Sequence, residues 1–213
     1  MVTRRLLQIE FLAFYVAVPL AMAVLMPPRL LFPALAGFTL LGALLLHLTP
    51  GFRWRDLARG LGRIDWRFVA GFSLATLGVA VAVALWLAPG AFLALPRQSP
   101  ALWLAVLALY PVLSALPQEL IFRPLFFRRY GGLLPGRRAA IAVNAAVFSL
   151  AHLMYWNWPA LAMSFAGGLA FAHAYEHQKN FPAAVVLHAI AGGIVFTAGL
   201  GVFFYTGFVR RPF

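Results

Sequence analysis

The chain contains no cysteine and has few acidic residues. Without cysteine it can form neither disulfides nor thiolate metal sites, and a Cys nucleophile is excluded. Five Asp and Glu stand against 17 Lys and Arg, and charged residues make up only 10% of the sequence. Hydrophobic residues make up 63%, and the mean hydropathy is +0.88. Soluble domains contain more charged and fewer hydrophobic residues than this, so we expect most of the chain to lie in lipid.

Long apolar runs predict an all-α fold, a polytopic transmembrane helical bundle of seven or eight spans of about 20 residues each. The last run is long enough for one helix or for two that separate near Gly199 and Gly201. The first run is too long for a signal peptide and lacks a cleavage site, which favours a retained span. The predicted spans are 6–26, 30–48, 68–87, 101–127, 139–154, 160–175 and 182–208.

The chain divides into N-terminal helices, 1–100, and a C-terminal helical core, 101–213. An Arg-rich loop at 49–67 interrupts the first part and is expected to lie as an amphipathic segment on the membrane surface. The lipid bilayer is therefore one predicted partner.

The basic residues lie in short loops between apolar runs, a pattern typical of membrane topology and not of a nucleic-acid surface. No nucleic-acid partner is expected. One set of loops is rich in Arg while the other has only Arg29 and Arg97, which predicts a cytoplasmic N-terminus. Arg210 and Arg211 join the cytoplasmic set only if the last run crosses twice. The Arg-rich set comprises Arg4, Arg5, Arg53, Arg55, Arg59, Arg63, Arg67, Arg128, Arg129, Arg137 and Arg138.

Ionisable side chains inside spans are costly and mark candidate functional sites. Glu119 and Arg123 stand four residues apart, so they share one helix face and can pair. Pro117 precedes them and predicts a kink. We assign Glu10 and His47, near span ends or isolated, to structural roles. The ionisable residues within the predicted spans are Glu10, His47, Glu119, Arg123, His152, His173 and His188.

Two further helices contribute histidines. Asn144, Phe148 and His152 follow each other at intervals of four residues, which places them along one helix side. His188 is followed one turn later by Gly192, where a small residue allows another helix or a substrate backbone to approach.

Glu119, His152 and His188 are expected to meet around one water molecule. Two structural alternatives stay open at this point. Glu119 and Arg123 form a buried ion pair that fixes helix packing, or each histidine makes an interhelical hydrogen bond.

Several other protease types lack their motifs. An H-x-x-E-H sequence occurs at 173–177, but no acid follows Glu176 to complete a zinc site. There is no H-E-x-x-H. Asp56 and Asp65 lie only in a loop, which excludes a membrane aspartyl dyad, and Ser73 is not in a G-x-S-x-G turn.

The run from Gln118 to Arg123, the F-x-x-x-H ending at His152, and His188 resemble the CPBP family of CAAX proteases and bacteriocin-processing membrane proteins. The family pattern is E-E-x-x-x-R, F-x-x-x-H and H-x-x-x-N, and the resemblance covers 101–208. It implies a glutamic-type intramembrane endopeptidase in a bacterial inner membrane, acting on a membrane-anchored or secreted peptide or protein. Glu119 and His152 would then prepare the water, and His188 would polarise the scissile carbonyl. The resemblance gives supporting roles to Gln118, Arg123, Asn144, Phe148 and Gly192.

Two positions depart from the family pattern. Gln118 replaces the first Glu and cannot accept a proton, and Gly192 replaces the Asn. We interpret the chain as a divergent Q-E branch, with a non-catalytic binding protein such as a bacteriocin immunity factor or scaffold as the alternative. A small transporter is disfavoured because no internal repeat is visible. No cofactor is expected, although Glu119, His152 and His188 plus water would also suit a zinc ion.

Overall fold

A computed structural model describes residues 3–27, 30–205, 207 and 209. Over these residues the chain is helical and contains no strand, which confirms the all-α prediction. The long helices of the described chain are α1 (Arg4–Leu25), α2 (Leu31–His47), α3 (Trp66–Leu87), α4 (Pro100–Leu133), α5 (Arg137–Tyr155), α6 (Trp158–Glu176) and α7 (Phe181–Thr197).

The helices follow the predicted spans closely. By length and hydropathy α1, α3, α4 and α5 qualify as membrane spans, whereas α7 and the apolar part of α2 are shorter apolar helices. The count of seven or eight crossings therefore stays a prediction. After α7 the chain turns at Gly199, where φ is +92°, into a short helix at Gly201–Phe204, so the last run does break. Position 208 and three predicted loop residues lie outside the described residues: Arg29, Arg210 and Arg211.

Polar side chains fix where several helices begin. Asn157 accepts a hydrogen bond from the Ala160 N–H at 2.9 Å at the start of α6, and Asn180 does the same for Ala183 at 3.0 Å in α7. Each satisfies a backbone donor that the first helical turn leaves unpaired. The Asn180 amide also donates to the Gly60 carbonyl at 2.8 Å, which ties the loop before α3 to the start of α7.

The loop at 49–67 contains two short 3₁₀ helices, Trp54–Ala58 and Leu61–Arg63. Asp56 lies at its centre and pairs with Arg59 at 3.1 Å. Contact of this loop with lipid headgroups stays a prediction.

Helices α1 and α4 pack through buried aromatic rings. The Tyr15 hydroxyl donates to the Ile121 carbonyl at 2.7 Å, and Tyr15 has no exposed surface. Near the start of α1, Glu10 accepts hydrogen bonds from two residues near the end of α4: from Arg129 at 2.5 and 2.9 Å and from Tyr130 at 2.5 Å. Glu10 therefore has the structural surroundings expected for it.

Helix α4 is irregular, and this irregularity places the candidate site. Wider π-type turns occupy Pro111–Ala115 and Ile121–Tyr130, on either side of the predicted kink at Pro117. Such turns are often found at functional sites, because they alter the direction in which side chains leave the helix.

Helix α7 lies against α3, α4 and α6, while α5 and α6 pack closely as neighbours. A Cβ at Gly168 of α6 would lie 3.1 Å from the Ala145 Cα of α5, so this approach requires a small residue. Large apolar side chains on the outer faces, such as Leu40, Leu74 and Trp86, are 70% or more exposed. These surfaces suit contact with acyl chains.

Candidate active site

A buried ion pair lies at the centre of α4. Arg123 Nε donates to Glu119 Oε2 at 2.7 Å and Arg123 Nη2 to Glu119 Oε1 at 3.3 Å. Both residues have 0% of their surface exposed. The pairing predicted from their spacing is therefore present, and the carboxylate faces a guanidinium through two hydrogen bonds.

Arg123 is also bound on its far side. Its Nη1 donates to Asn144 Oδ1 of α5 and, at 3.4 Å, to the Phe122 carbonyl. The guanidinium carbon lies 5.1 Å from the Phe148 ring centroid and 5.7 Å from that of Phe171. These contacts hold the charge inside the bundle by hydrogen bonds and cation–π attraction.

His188 of α7 joins this cluster from the other side. Its Nδ1 lies 2.9 Å from Glu119 Oε1, and its Nε2 lies 3.0 Å from the Tyr110 hydroxyl. The ring stacks on Phe171 with centroids 4.8 Å apart and planes 9° from parallel. A carboxylate paired with Arg123 only accepts hydrogen bonds, so Nδ1 carries the proton and Nε2 of the neutral ring is an acceptor.

His152, at the end of α5, is held by its own helix. Its Nδ1 lies 2.8 Å from the Phe148 carbonyl, which only accepts, so here too Nε2 of the neutral ring carries the lone pair. The Phe148 ring lies between the two histidine environments. Its centroid is 4.7 Å from that of His152 and 5.6 Å from that of His188.

A cavity of about 660 Å³ opens beside these histidines, and its wall is mostly apolar. Helices α3, α4, α5, α6 and α7 all contribute to this wall. Glu119 is not among the lining residues and lies behind His188. Polar side chains on the wall include Tyr110, Ser114, Gln118, His152, Tyr155 and His188.

The structure thus brings some of the predicted residues together and separates others. Glu119 touches His188 directly, while His152 shares only the cavity wall with His188. Gln118 and Gly192 also line the cavity. Arg123 and Asn144 lie buried behind Glu119. The catalytic roles assigned to these side chains stay predictions.

Sequence reasoning missed Tyr110 and Ser114. A pattern for them exists, because Tyr110, Ser114 and Gln118 are spaced by four residues and form a polar stripe along an otherwise apolar helix face. The Gln118 amide donates to Ser114 Oγ at 2.9 Å. In lipid such a stripe points inward, so its spacing predicts residues of the cavity wall.

The site does not present three metal ligands to one point. Within the described chain, no group of three His, Asp or Glu side chains is placed to hold a metal ion. Both Glu119 oxygens are engaged by Arg123 and His188. At the H-x-x-E-H sequence, His173 and His177 stack with centroids 4.7 Å apart. His177 is exposed at the helix end, as expected for a solvated terminus.

The fold and this site define a helical integral membrane protein with a charged and imidazole-bearing cluster enclosed among its helices. Residues 99–194, which include Tyr110, Glu119, Arg123, His152 and His188, match a family model described as Type II CAAX prenyl endopeptidase Rce1-like. Over this segment the match confirms the CPBP family predicted from the sequence. No curated protein and no solved structure matches the chain.

Proposed function

We propose that this protein is an intramembrane endopeptidase that hydrolyses a peptide bond of a membrane-associated substrate in the cavity between α4, α5 and α7. One observation carries the proposal. His188 contacts Glu119 through one ring nitrogen and the Tyr110 hydroxyl through the other, and it lies on the wall of a cavity that His152 also lines. A carboxylate, an imidazole and a second imidazole beside a mostly apolar cavity form the components of general base catalysis on water.

In this mechanism a water molecule gives one hydrogen bond to His188 Nε2 and the other to His152 Nε2. Its oxygen attacks the scissile carbonyl carbon while His188 takes the proton. The carbonyl electron pair moves onto the oxygen. The electron pair then returns from the oxygen to re-form the C=O bond as the C–N bond breaks, and His188 gives its proton to the leaving nitrogen. The products are a carboxylic acid and an amine, and the acid then gives its remaining proton to the amine to leave a carboxylate and an ammonium group.

Glu119 acts here through His188, as a positioning residue. A carboxylate on Nδ1 holds the imidazole in the tautomer that leaves Nε2 basic, and it stabilises the imidazolium that forms. Arg123 holds the carboxylate in place by two hydrogen bonds. His188 therefore acts as the base and does not polarise the scissile carbonyl, the role first expected for it, because its Nδ1 proton is already given to Glu119. Hydrolysis in this proposal is glutamate-dependent and metal-independent.

The substrate is a membrane-anchored or secreted peptide or protein. An apolar cavity open among lipid-facing helices accepts an extended apolar segment more readily than a soluble, charged one. The family model's description names a CAAX prenyl endopeptidase, which makes a prenylated CAAX peptide the first probe. The family resemblance supports a bacterial inner membrane as the location, and the length of the apolar runs supports seven or eight spans. The Arg distribution supports a cytoplasmic N-terminus.

The proposal is tested with the full chain in liposomes and three peptides. One is a prenylated CAAX peptide, one is the same peptide without the prenyl group, and one is a single-span membrane peptide. We expect cleavage of at least one of them by the unmodified protein. His152→Ala should lower kcat by about 10²–10⁴-fold, the range for loss of a general acid or base group.

His177→Ala is the matched control, because His177 is exposed at the end of α6 and does not line the cavity. His152 is bound to the rest of the chain mainly through its own helix, so its variant should fold. Equal cleavage by His152→Ala and His177→Ala would contradict the assignment. Tight binding of a peptide with no cleavage would instead favour the non-catalytic alternative, which the uncharged Gln118 on the cavity wall supports.

A further inference from the structure

A hydrolytic site of this kind needs a hydrogen-bond donor for the oxyanion, and neither histidine supplies one while neutral. In both rings Nδ1–H is already given away, to the Glu119 carboxylate and to the Phe148 carbonyl. Their Nε2 atoms therefore accept. The donor has to come from another group on the same wall.

We propose that Tyr110 is this donor: its hydroxyl hydrogen bonds to the developing oxyanion of the scissile peptide. This inference rests on the proposed function and adds a catalytic residue to it. Tyr110 lines the cavity, and its hydroxyl lies 3.0 Å from His188 Nε2, next to the position where the attacking water would bind.

The resting hydrogen bond explains how the donor is kept ready. Because His188 Nε2 accepts, the Tyr110 hydroxyl is the donor of the observed contact. Rotation about the C–O bond of the phenol moves this hydrogen from Nε2 to a carbonyl oxygen arriving in the cavity. The same rotation frees Nε2 for the water. No proton is transferred from Tyr110, so the hydroxyl only stabilises charge.

Gly192 provides the space that this tyrosine occupies. A Cβ at position 192 would overlap three carbons of the Tyr110 ring: Cδ1, Cε1 and Cζ. The ring also packs edge to face against Phe196, with centroids 5.6 Å apart. Position 192 lies four residues after His188, which is one helical turn. The tyrosine ring from α4 thus fills the volume into which a side chain at 192 would project.

This packing accounts for the departure from the family pattern at position 192. An asparagine there would offer its own amide N–H beside His188, but it cannot coexist with the Tyr110 ring. Gly192 and Tyr110 together thus replace an asparagine amide donor with a phenol hydroxyl donor. Gly192 is therefore required for the position of Tyr110, and a glycine at this position does not by itself indicate a loss of catalysis.

The test compares Tyr110→Phe with Tyr175→Phe, a matched removal of one hydroxyl on α6 away from the cavity wall. Cleavage of the peptide that the unmodified protein cleaves is followed in liposomes. We expect Tyr110→Phe to lower kcat by about 10²-fold or more, the effect of removing one oxyanion donor, with KM unchanged. Tyr175→Phe should leave both constants unchanged.

A second pair of variants separates the donor role from packing. Tyr110→Ala removes both ring and hydroxyl. Adding Gly192→Asn to it supplies an amide donor in the vacated volume, and kcat should recover by about tenfold or more, since an amide is an alternative oxyanion donor. Gly192→Asn alone should be poorly active, because the asparagine and the Tyr110 ring overlap and neither donor can take its place beside His188.

Tyr110→Phe with unchanged kcat, or Gly192→Asn alone with full activity, would overturn the inference. A KM increase with unchanged kcat in Tyr110→Phe would do so as well, because it indicates binding only. If His152→Ala is inactive while Tyr110→Phe is fully active, this inference fails and the proposed function stands. If the unmodified protein cleaves none of the three peptides, the proposed function fails and this inference with it.

Discussion

Removing Arg123 should strongly destabilise the protein, because it leaves a carboxylate buried without its counter-ion. Arg123 and Glu119 are both fully buried and share hydrogen bonds of 2.7 and 3.3 Å. Breaking a buried pair by removing one partner costs about 3–5 kcal/mol, which corresponds to a change of roughly 10²·²–10³·⁷-fold in the unfolding equilibrium constant. Arg123→Met also takes a donor from Asn144 Oδ1.

The matched control is Arg137→Met. Arg137 Nε lies 3.6 Å from Glu176 Oε1, and the Arg137 side chain is 55% exposed. An exposed pair of this kind contributes about 0–1 kcal/mol. The contrast between the two variants therefore isolates the effect of burial on the same chemical change.

Both variants are unfolded reversibly in mixed micelles with increasing SDS, and helix content is followed by circular dichroism. Arg123→Met should unfold at clearly lower SDS than Arg137→Met. Glu119→Leu combined with Arg123→Met removes both charges and should regain much of the lost stability. Equal midpoints for Arg123→Met and Arg137→Met would refute the view that this pair is a buried, mutually dependent unit.

Two further predictions concern catalysis. Gln118→Glu should raise kcat for the cleaved peptide, because Gln118 lines the cavity and a carboxylate there can accept the water proton directly. Gln178→Glu, beyond the end of α6, is its control. A kcat in Gln118→Glu equal to or below that of the unmodified protein would contradict this role. Dialysis against EDTA or 1,10-phenanthroline should leave cleavage unchanged, since the described residues offer no three-ligand metal site; loss of activity that zinc restores would show that metal is required.

Much of the fold was predictable because lipid imposes simple rules. Apolar runs of about 20 residues must be helical, since backbone polar groups have no partner in hydrocarbon. The helices accordingly begin and end within a few residues of the predicted limits, with two exceptions. Helix α4 continues to Leu133, and α7 ends at Thr197, well before the predicted limit at 208. The pairing of Glu119 with Arg123 was equally predictable, because both lie on one helix and the spacing alone brings them together.

The distances between side chains of different helices could not be predicted from the sequence. Glu119 and His188 were expected near one another, but only the packing of α7 against α4 decides that their atoms touch and that Glu119 lies behind the cavity wall. The same packing leaves His152 across the Phe148 ring and brings Tyr110 into the space beside Gly192.

The amino-acid sequence by itself determined that the chain is a helical membrane protein, which segments are helical and which family its C-terminal part resembles. Those properties depend on local composition and on spacing within one helix. The tertiary structure decided which side chains face the cavity and which ring nitrogen of each histidine is left to accept hydrogen bonds. The physical reason is that rotation and depth of each helix follow from side-chain packing against its neighbours, and a shift of one residue in the register turns a side chain by about 100°.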